Sequence, residues 1–447
     1  MKKLNITFCS FPDFSGNAKA LYEYMEKTYK DKMNYTWVVY DKKTVAKLKS
    51  KGINSVLMDT DEFKKYIPKT NVFFTTHANL TGDKAKCKNA IYVELWHGIG
   101  PKPVGFLTKN LSNKDCKWYE FLSETIDYLI SPSSLFNLIF SSSFRVKPNH
   151  VLDLGLPILD EIIYSKGKEN LIKIYGNDLI KFKKYIFYCP TFKKGCGRKL
   201  ECNYNEENIL NLIKYDEKKL IEYLHINNYL LFIKYHPSDE VKYKIINDDN
   251  VIYIDDEILE ANDFNINSIL NAFDLLITDY SSLGTEFSFL NKPVIYLSTD
   301  YIEYKDNRGI ILNDYNFWTD NNTCDNLDKL LEMISHQIKQ DRKISNKKEI
   351  FSNLIDGGCK QICDYFFSKD YKLNNYVCTY KSELLKIKKE KDILNRELFL
   401  KDEVINNQNE RIKYLEAKEQ ELASIKYSRS YRIVKKISKF KSIIVKK

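Results

Sequence analysis

Short apolar runs alternate with helix-like stretches along most of the chain, and this alternation restricts the fold to the α/β class rather than all-α or all-β. In the first part Leu4–Cys9, Tyr35–Tyr40, Asn71–Thr75, Ala90–Leu95 and Tyr128–Ser131 read as strands, and Ala18–Tyr29 and Leu135–Phe140 as helices. The second part repeats the pattern. Tyr185–Cys189, Tyr229–Tyr235, Val251–Ile254, Asp274–Thr278 and Pro293–Leu297 are strand candidates there, joined by helical patterns over Glu207–Ile226, Ser268–Ala272 and Leu283–Leu290. Two successive Rossmann-like halves are expected, joined near residues 155–180, with a ligand cleft between them. The stretch Glu349–Phe367 reads as a closing helix.

Beyond residue 372 the pattern changes. A heptad register runs without a slip through Leu384, Ile387, Lys391, Leu394, Leu398, Lys401, Ile405, Gln408, Ile412, Leu415, Glu419 and Leu422. Most of these positions are apolar, as a coiled-coil seam requires; an amphipathic helix folded back on the rest of the chain is the alternative. The expected divisions are residues 1–165 and 166–371 for the two Rossmann-like domains, 372–427 for a coiled coil and 428–447 for a basic tail.

Charge separates the tail from the body. The net charge is +10, and Ser428–Lys447 contributes +8 of it with no acidic residue, so the rest carries only about +2. A body so nearly neutral does not suggest a nucleic-acid partner. If the tail is helical, Ile433, Ile437, Phe440 and Ile444 form one stripe flanked by lysines, which suits an anionic membrane surface. No stretch approaches the ~20 apolar residues needed to span a bilayer. The opening Met-Lys-Lys and Leu4–Phe8 begin like a signal peptide but are cut short by Pro12 and Asp13, so a cytoplasmic protein is expected. The ten cysteines include no CxxC pair, which suits a reducing compartment; Cys196 and Cys202 near His225 match no common metal spacing, so no metal is expected.

Four segments that follow strand ends carry polar chemistry. In Thr278-Asp279-Tyr280-Ser281-Ser282, with Glu286 one turn on, a strand hands over to a helix whose N-terminus and hydroxyls can hold a pyrophosphate. Glu286 is placed to reach a ribose or alditol hydroxyl, while Asp279 or Ser281 could simply cap the helix. In Glu94-Leu-Trp96-His97-Gly98-Ile-Gly100-Pro-Lys102 a strand delivers His97 into a glycine-rich loop, where a pKa near working pH would suit a general base. His236-Pro237 and Pro190-Thr191-Phe-Lys193 close two further strands, and could hold phosphate oxygens.

With these words in order, the sequence resembles the CDP-glycerol glycerophosphotransferase family of teichoic acid and capsule synthesis. The matching words are Trp96-His97-Gly98 with Lys102 and Gly105, Gly155-Leu-Pro157 with Asp160, Pro190-Thr191, His236-Pro237, Thr278 to Ser282 with Glu286, Lys292-Pro293 and Arg308-Gly309. The resemblance implies a GT-B fold, no metal or other cofactor and a general base at His97. It places donor phosphates on His236, Ser281 and Ser282, with Asp279, Glu286, Thr191 and Lys193 nearby. Trp96, Gly98 and Lys102 fall on the acceptor side. Gly100 stands where the family pattern expects proline, Pro103 where it expects a second lysine, and Lys193 where it expects arginine.

The reaction so implied is in-line displacement at phosphorus. An acceptor hydroxyl on a polymer or lipid-linked primer attacks CDP-glycerol or a similar CDP-alditol, and CMP leaves. A nucleotide-sugar glycosyltransferase and a non-catalytic coiled-coil scaffold are the competing expectations. The expected setting is the inner face of a bacterial membrane, held there by the tail, with self-association through the coiled coil.

Overall fold

In the computed structural model, which describes all residues save 1–2, 79, 85–86, 88–89, 192–206, 236–242, 340–350, 352–355 and 445–447, the apolar runs form two sheets. The first holds β1 (Asn5–Cys9), β2 (Asn34–Val39), β3 (Ser55–Leu57), β4 (Val72–Thr75), β5 (Ile91–Glu94), β6 (Tyr128–Ser131) and β7 (Val151–Asp153). Its order is β3-β2-β1-β4-β5-β6-β7. The second holds β8 (Lys184–Tyr188), β9 (Tyr229–Ile233), β10 (Val251–Tyr253), β11 (Leu275–Thr278), β12 (Val294–Leu297) and β13 (Thr323–Cys324), ordered β10-β9-β8-β11-β12-β13. Neighbouring strands pair in parallel throughout both sheets. Parallel neighbours need crossovers, and helices such as Gly16–Tyr29 and Glu217–Asn227 supply them. Two parallel α/β sheets in succession are the GT-B arrangement anticipated from the sequence.

Strands β4, β5, β6, β9, β11 and β12 are buried along their whole length, which explains why they read as continuous apolar runs. One core cluster includes Phe73, Tyr92 and Leu129 of the first sheet and Phe187, Phe232 and Leu276 of the second. A second cluster packs Ile186, Leu231 and Ile277 under Leu330 and Ile334 of the helix Leu327–Lys339. Each sheet reverses its winding once, between β1 and β4 and between β8 and β11. At such a reversal the connections leave in opposite directions and open a crevice at the strands' carboxyl ends.

Two expected helices are corrected. Glu207–Ile226 is helical only from Glu217, where Asp216 caps the first turn by accepting the Lys219 N–H at 3.1 Å. Upstream, the Asn208 side chain accepts the Leu212 N–H at 3.0 Å and holds a turn in its place. Within the described part of Glu349–Phe367, Phe351 is helical and a separate helix runs over Gly358–Phe366, starting anew because Gly357 takes a left-handed φ of 78°. The Asp160 carboxylate caps that helix from far off in sequence, accepting the N–H groups of Gly357 (2.6 Å), Gly358 (3.2 Å) and Cys359 (2.9 Å). Strands β3, β7 and β13 and the helices Lys42–Ser50 and Asn113–Thr125 join the elements read from sequence.

Residues Met1–Asn374 form one compact unit and Asn375–Lys447 another. The second unit is a 53-residue helix, Asn375–Tyr427, followed by the helix Arg429–Ile444. On the long helix the heptad positions Leu394, Leu398, Ile405, Ile412, Leu415 and Leu422 are exposed. Among the described residues no helix is long and apolar enough to cross a membrane.

Candidate active site

The first half of the site is built from the carboxyl ends of β4 and β5. Glu94, the last residue of β5, is buried, and its carboxylate gathers three donors from the two loops. Oε2 takes the Thr75 hydroxyl at 2.7 Å and the Ala78 N–H at 2.9 Å; Oε1 takes the Trp96 N–H at 3.1 Å. Burial raises its pKa to about 8, with those same donors opposing the rise. Trp96 sits at a left-handed φ of 56°, which turns the chain sharply after the strand. The turn is pinned from its other side by buried Asn17. Its Nδ2 donates to the carbonyls of Trp96 (2.9 Å) and Leu95 (3.3 Å), while its Oδ1 accepts the Ile158 N–H at 2.9 Å.

This turn presents His97. Its Nδ1 lies 3.0 Å from the Thr76 carbonyl oxygen, which can only accept, so Nδ1 carries the proton and Nε2 keeps the ring's lone pair. The ring stacks on His77 with centroids 3.8 Å apart and planes 6° from parallel, and it lies 4.1 Å from the Trp96 ring. His77 was not singled out in the sequence, although it follows a strand end as His97 does. His77 has its own anchor, with Nδ1 2.9 Å from the Thr76 hydroxyl.

The pKa expected for His97 is corrected. Close packing around the ring and the Lys102 ammonium lower it toward about 4, and the Thr76 hydrogen bond opposes the fall. The residue nevertheless remains exposed to water, which tempers the fall without reversing it. His77 is lowered further, to about 3, by burial and by the neighbouring His97. Both imidazoles are therefore neutral at neutral pH.

The second half of the site comes from β8 and β11, which flank the reversal of the other sheet. Asp279 is buried and accepts the Thr191 N–H at 2.8 Å and the Thr191 hydroxyl at 2.9 Å, tying the two strand ends together. Ser281 caps the helix Ser282–Ser288 by accepting the Leu283 N–H at 3.3 Å. Glu286 lies buried within that helix, and its pKa is raised to about 7 by burial, with the Ile99 N–H opposing the rise. Its Oε1 is buried with no hydrogen-bond partner among the described residues.

The two halves meet at the glycines of the His97 loop. A Cβ at Gly98 would stand 3.0 Å from Ser282 Oγ and 3.2 Å from Glu286 Oε1; one at Gly100 would stand 3.0 Å from Ser282 Cα. The loop thus lies directly against the start of the serine-bearing helix, as close as side-chain-free residues allow. Further along, the Pro101 carbonyl accepts the Ile311 N–H at 2.8 Å, and Lys102 is half-buried beside it. His97, Trp96, Gly98, Lys102, Ser282 and Glu286 are therefore brought to one place, with Ser281, Thr191 and Asp279 at the strand ends behind it. His236 and Lys193 lie outside the described residues, as do Cys196 and Cys202. Among the described residues no group of three or more His, Cys, Asp or Glu side chains is arranged to hold a metal ion.

A family model described as CDP-glycerol:poly(glycerophosphate) glycerophosphotransferase matches residues 1–364. The chain belongs to that family. Its relatives include a teichoic acid glycerol-phosphate primase of Bacillus subtilis, 29% identical over 67% of this chain and 76% of the relative. A teichoic acid poly(glycerol phosphate) polymerase of Bacillus spizizenii is 26% identical over 77% of this chain and 86% of its own length. Among solved structures, a variant of the wall teichoic acid polymerase TagF superposes with a TM-score of 0.64 at 20% identity, covering 87% of this chain and 91% of that one. The glycerophosphotransferase match ends before the helix Asn375–Tyr427 begins.

Proposed function

We propose that the chain transfers a glycerol-phosphate or related alditol-phosphate unit from a CDP-linked donor to a hydroxyl of a teichoic-acid-like or capsular polymer, or of its lipid-linked primer, releasing CMP. Family membership supports the reaction class, and one observation supports the place. Glu286 Oε1 is a buried carboxylate oxygen without a partner among the described residues, and it lies where the His97 loop meets the serine-bearing helix. A buried acceptor of that kind is costly unless a ligand donor, such as a glycerol or ribose hydroxyl, completes it.

In this reading the acceptor hydroxyl approaches His97, and Nε2 takes its proton as the oxygen bonds to the alditol-bearing phosphorus. The bond from that phosphorus to the bridging oxygen breaks, and CMP leaves with the electron pair. Ser281, Ser282 and Thr191 hold donor phosphate oxygens, Asp279 orients Thr191, and Glu286 receives a donor hydroxyl. His236 and Lys193 are proposed as further phosphate contacts from their sequence positions alone. Trp96, Gly98 and Lys102 shape the acceptor side, while His77 holds the plane of the His97 ring. The basic helix attaches the enzyme to the anionic inner face of the membrane, and the long helix joins copies of the chain.

The deciding experiment supplies the purified protein with CDP-glycerol, CDP-ribitol or UDP-sugars and a membrane or polysaccharide acceptor, and follows nucleotide release. CMP from a CDP-alditol is the expected product. Release of UDP, with none from either CDP-alditol, would instead assign a sugar transferase.

A further inference from the structure

From the charges along the exposed seam of the helix Asn375–Tyr427, we propose that two copies of the chain pair through it antiparallel, in one register. This rests on the self-association proposed above and specifies its geometry. Leu398, Ile405, Ile412, Leu415 and Leu422 are each more than half exposed, and they are spaced by three or seven residues, as one face of a heptad requires. A long helix draws most of its stability from burying such a stripe, so the stripe needs a cover.

The seam carries three charges. Lys391 precedes this stripe, and in the register that pairs Lys401 with Glu419 it falls opposite a position past the helix end at Tyr427. Within the stripe stand Lys401 at one core position of the heptad and Glu419 at the other. Parallel pairing in register sets each seam residue against its own copy. Lys401 would face the partner's Lys401, and Glu419 the partner's Glu419, giving two desolvated like-charge layers. Antiparallel pairing instead sets the two kinds of core position against each other. One register then puts Lys401 against the partner's Glu419 and, by symmetry, Glu419 against the partner's Lys401.

The same register stacks Leu398 on the partner's Leu422 and Ile405 on the partner's Leu415, with Ile412 facing the partner's Gln408. Sliding by one heptad in either direction separates the two charges and buries each against an uncharged residue or a like charge. The flanking residues Glu397, Asp402, Arg411, Glu416 and Lys418 are of mixed sign and favour neither direction, so the seam decides. A second copy is the occupant because this helix carries both halves of the complementary pair.

The test is charge reversal in the full chain, read by sedimentation equilibrium. The parent should dimerise. Glu419→Lys creates two lysine–lysine layers in the antiparallel register and should weaken self-association by roughly 10-fold or more. Adding Lys401→Glu to that variant restores opposite charges in both layers and should recover the parent's affinity. A parallel coil would be indifferent to both changes, because each layer stays like-charged. A dimer equally tight in all three proteins therefore overturns the orientation while leaving self-association intact. A monomer at every concentration overturns both. CMP release is measured alongside, and loss of activity in the parent bears only on the reaction assigned to the other unit.

Discussion

The imidazole of His97 lies flat against that of His77, 3.8 Å away and 6° from parallel, while the Thr76 carbonyl holds its Nδ1 proton. The stack fixes the ring plane and the carbonyl fixes the tautomer, which together define where Nε2 can receive a proton. A second cation pressed against this ring would be repelled, so the pair favours the neutral, proton-accepting state.

His97→Ala should lower turnover by about 10²–10⁴-fold, the usual contribution of a general base, with CDP-donor affinity barely changed. His77→Ala should lower turnover less, and His77→Phe should recover part of the loss because a flat ring is restored. Steady-state kinetics with calorimetric donor binding checks all three. If His97→Ala retains near-parent turnover, the base lies elsewhere.

Protonating His97 removes the base, so activity falls on the acid side. Because the protein packed around the ring and Lys102 pull its pKa down toward about 4, a fall tempered by the ring's exposure to water, turnover should hold below the ordinary histidine pKa of 6.5 before declining. Lys102→Met removes one of the lowering influences and should shift the acid limb upward. An unmoved limb in that variant would mean that another group sets the profile.

Glu94 should couple the loop's integrity to pH. Its folded pKa, raised from 4.5 to about 8, means that the fold favours the neutral carboxyl; the stability this contributes is complete below about pH 4.5 and is lost as pH rises through about 8. Glu94→Gln lacks that titration, so its melting temperature should decline less over this window than the parent's, with Glu286 leaving a residual slope of the same sign. Glu94→Ala strands the buried N–H of Ala78, at about 1–3 kcal/mol, and the part-buried N–H of Trp96 at less. Identical melting curves for parent and Glu94→Ala would refute the brace.

The two loop glycines should differ. At Gly98 an added methyl meets Ser282 Oγ at 3.0 Å, which can turn aside, and Glu286 Oε1 and Ser282 Cβ at 3.2 Å, where a shift of a few tenths of an ångström suffices; at Gly100 it meets the Ser282 backbone at 3.0 Å, which cannot turn aside. Gly100→Ala should therefore cost more turnover than Gly98→Ala at comparable melting temperature. The reverse ranking would show that the loop and helix do not close this tightly in solution.

Deleting residues 428–447 should release the protein from anionic vesicles without altering CMP release on a soluble acceptor. Basic residues near such a surface contribute roughly 1 kcal/mol apiece, so attachment should also weaken with salt. Vesicle binding that survives the deletion would move the membrane contact to another part of the chain.

The sequence by itself determined the longer central strands, because strands buried on both faces are read as continuous apolar runs, as around Val72–Thr75 and Leu275–Thr278, while the two- and three-residue strands β3, β7 and β13 are too short to show such a run. It also determined where polar chemistry follows a strand end, since Trp96-His97-Gly98 and Ser281-Ser282 are local words. Only the tertiary structure decided what those words meet. His77 and His97 belong to different loops and become neighbours because β4 and β5 are adjacent in the sheet, a pairing that no local periodicity encodes. Asp160 starts a helix at Gly358, and Glu286 settles against Ile99, for the same reason. The protonation states followed last. The His97 pKa leaves its ordinary range, and the Glu94 pKa leaves its own, through the protein packed around each side chain, and that environment exists only after distant strands have come together.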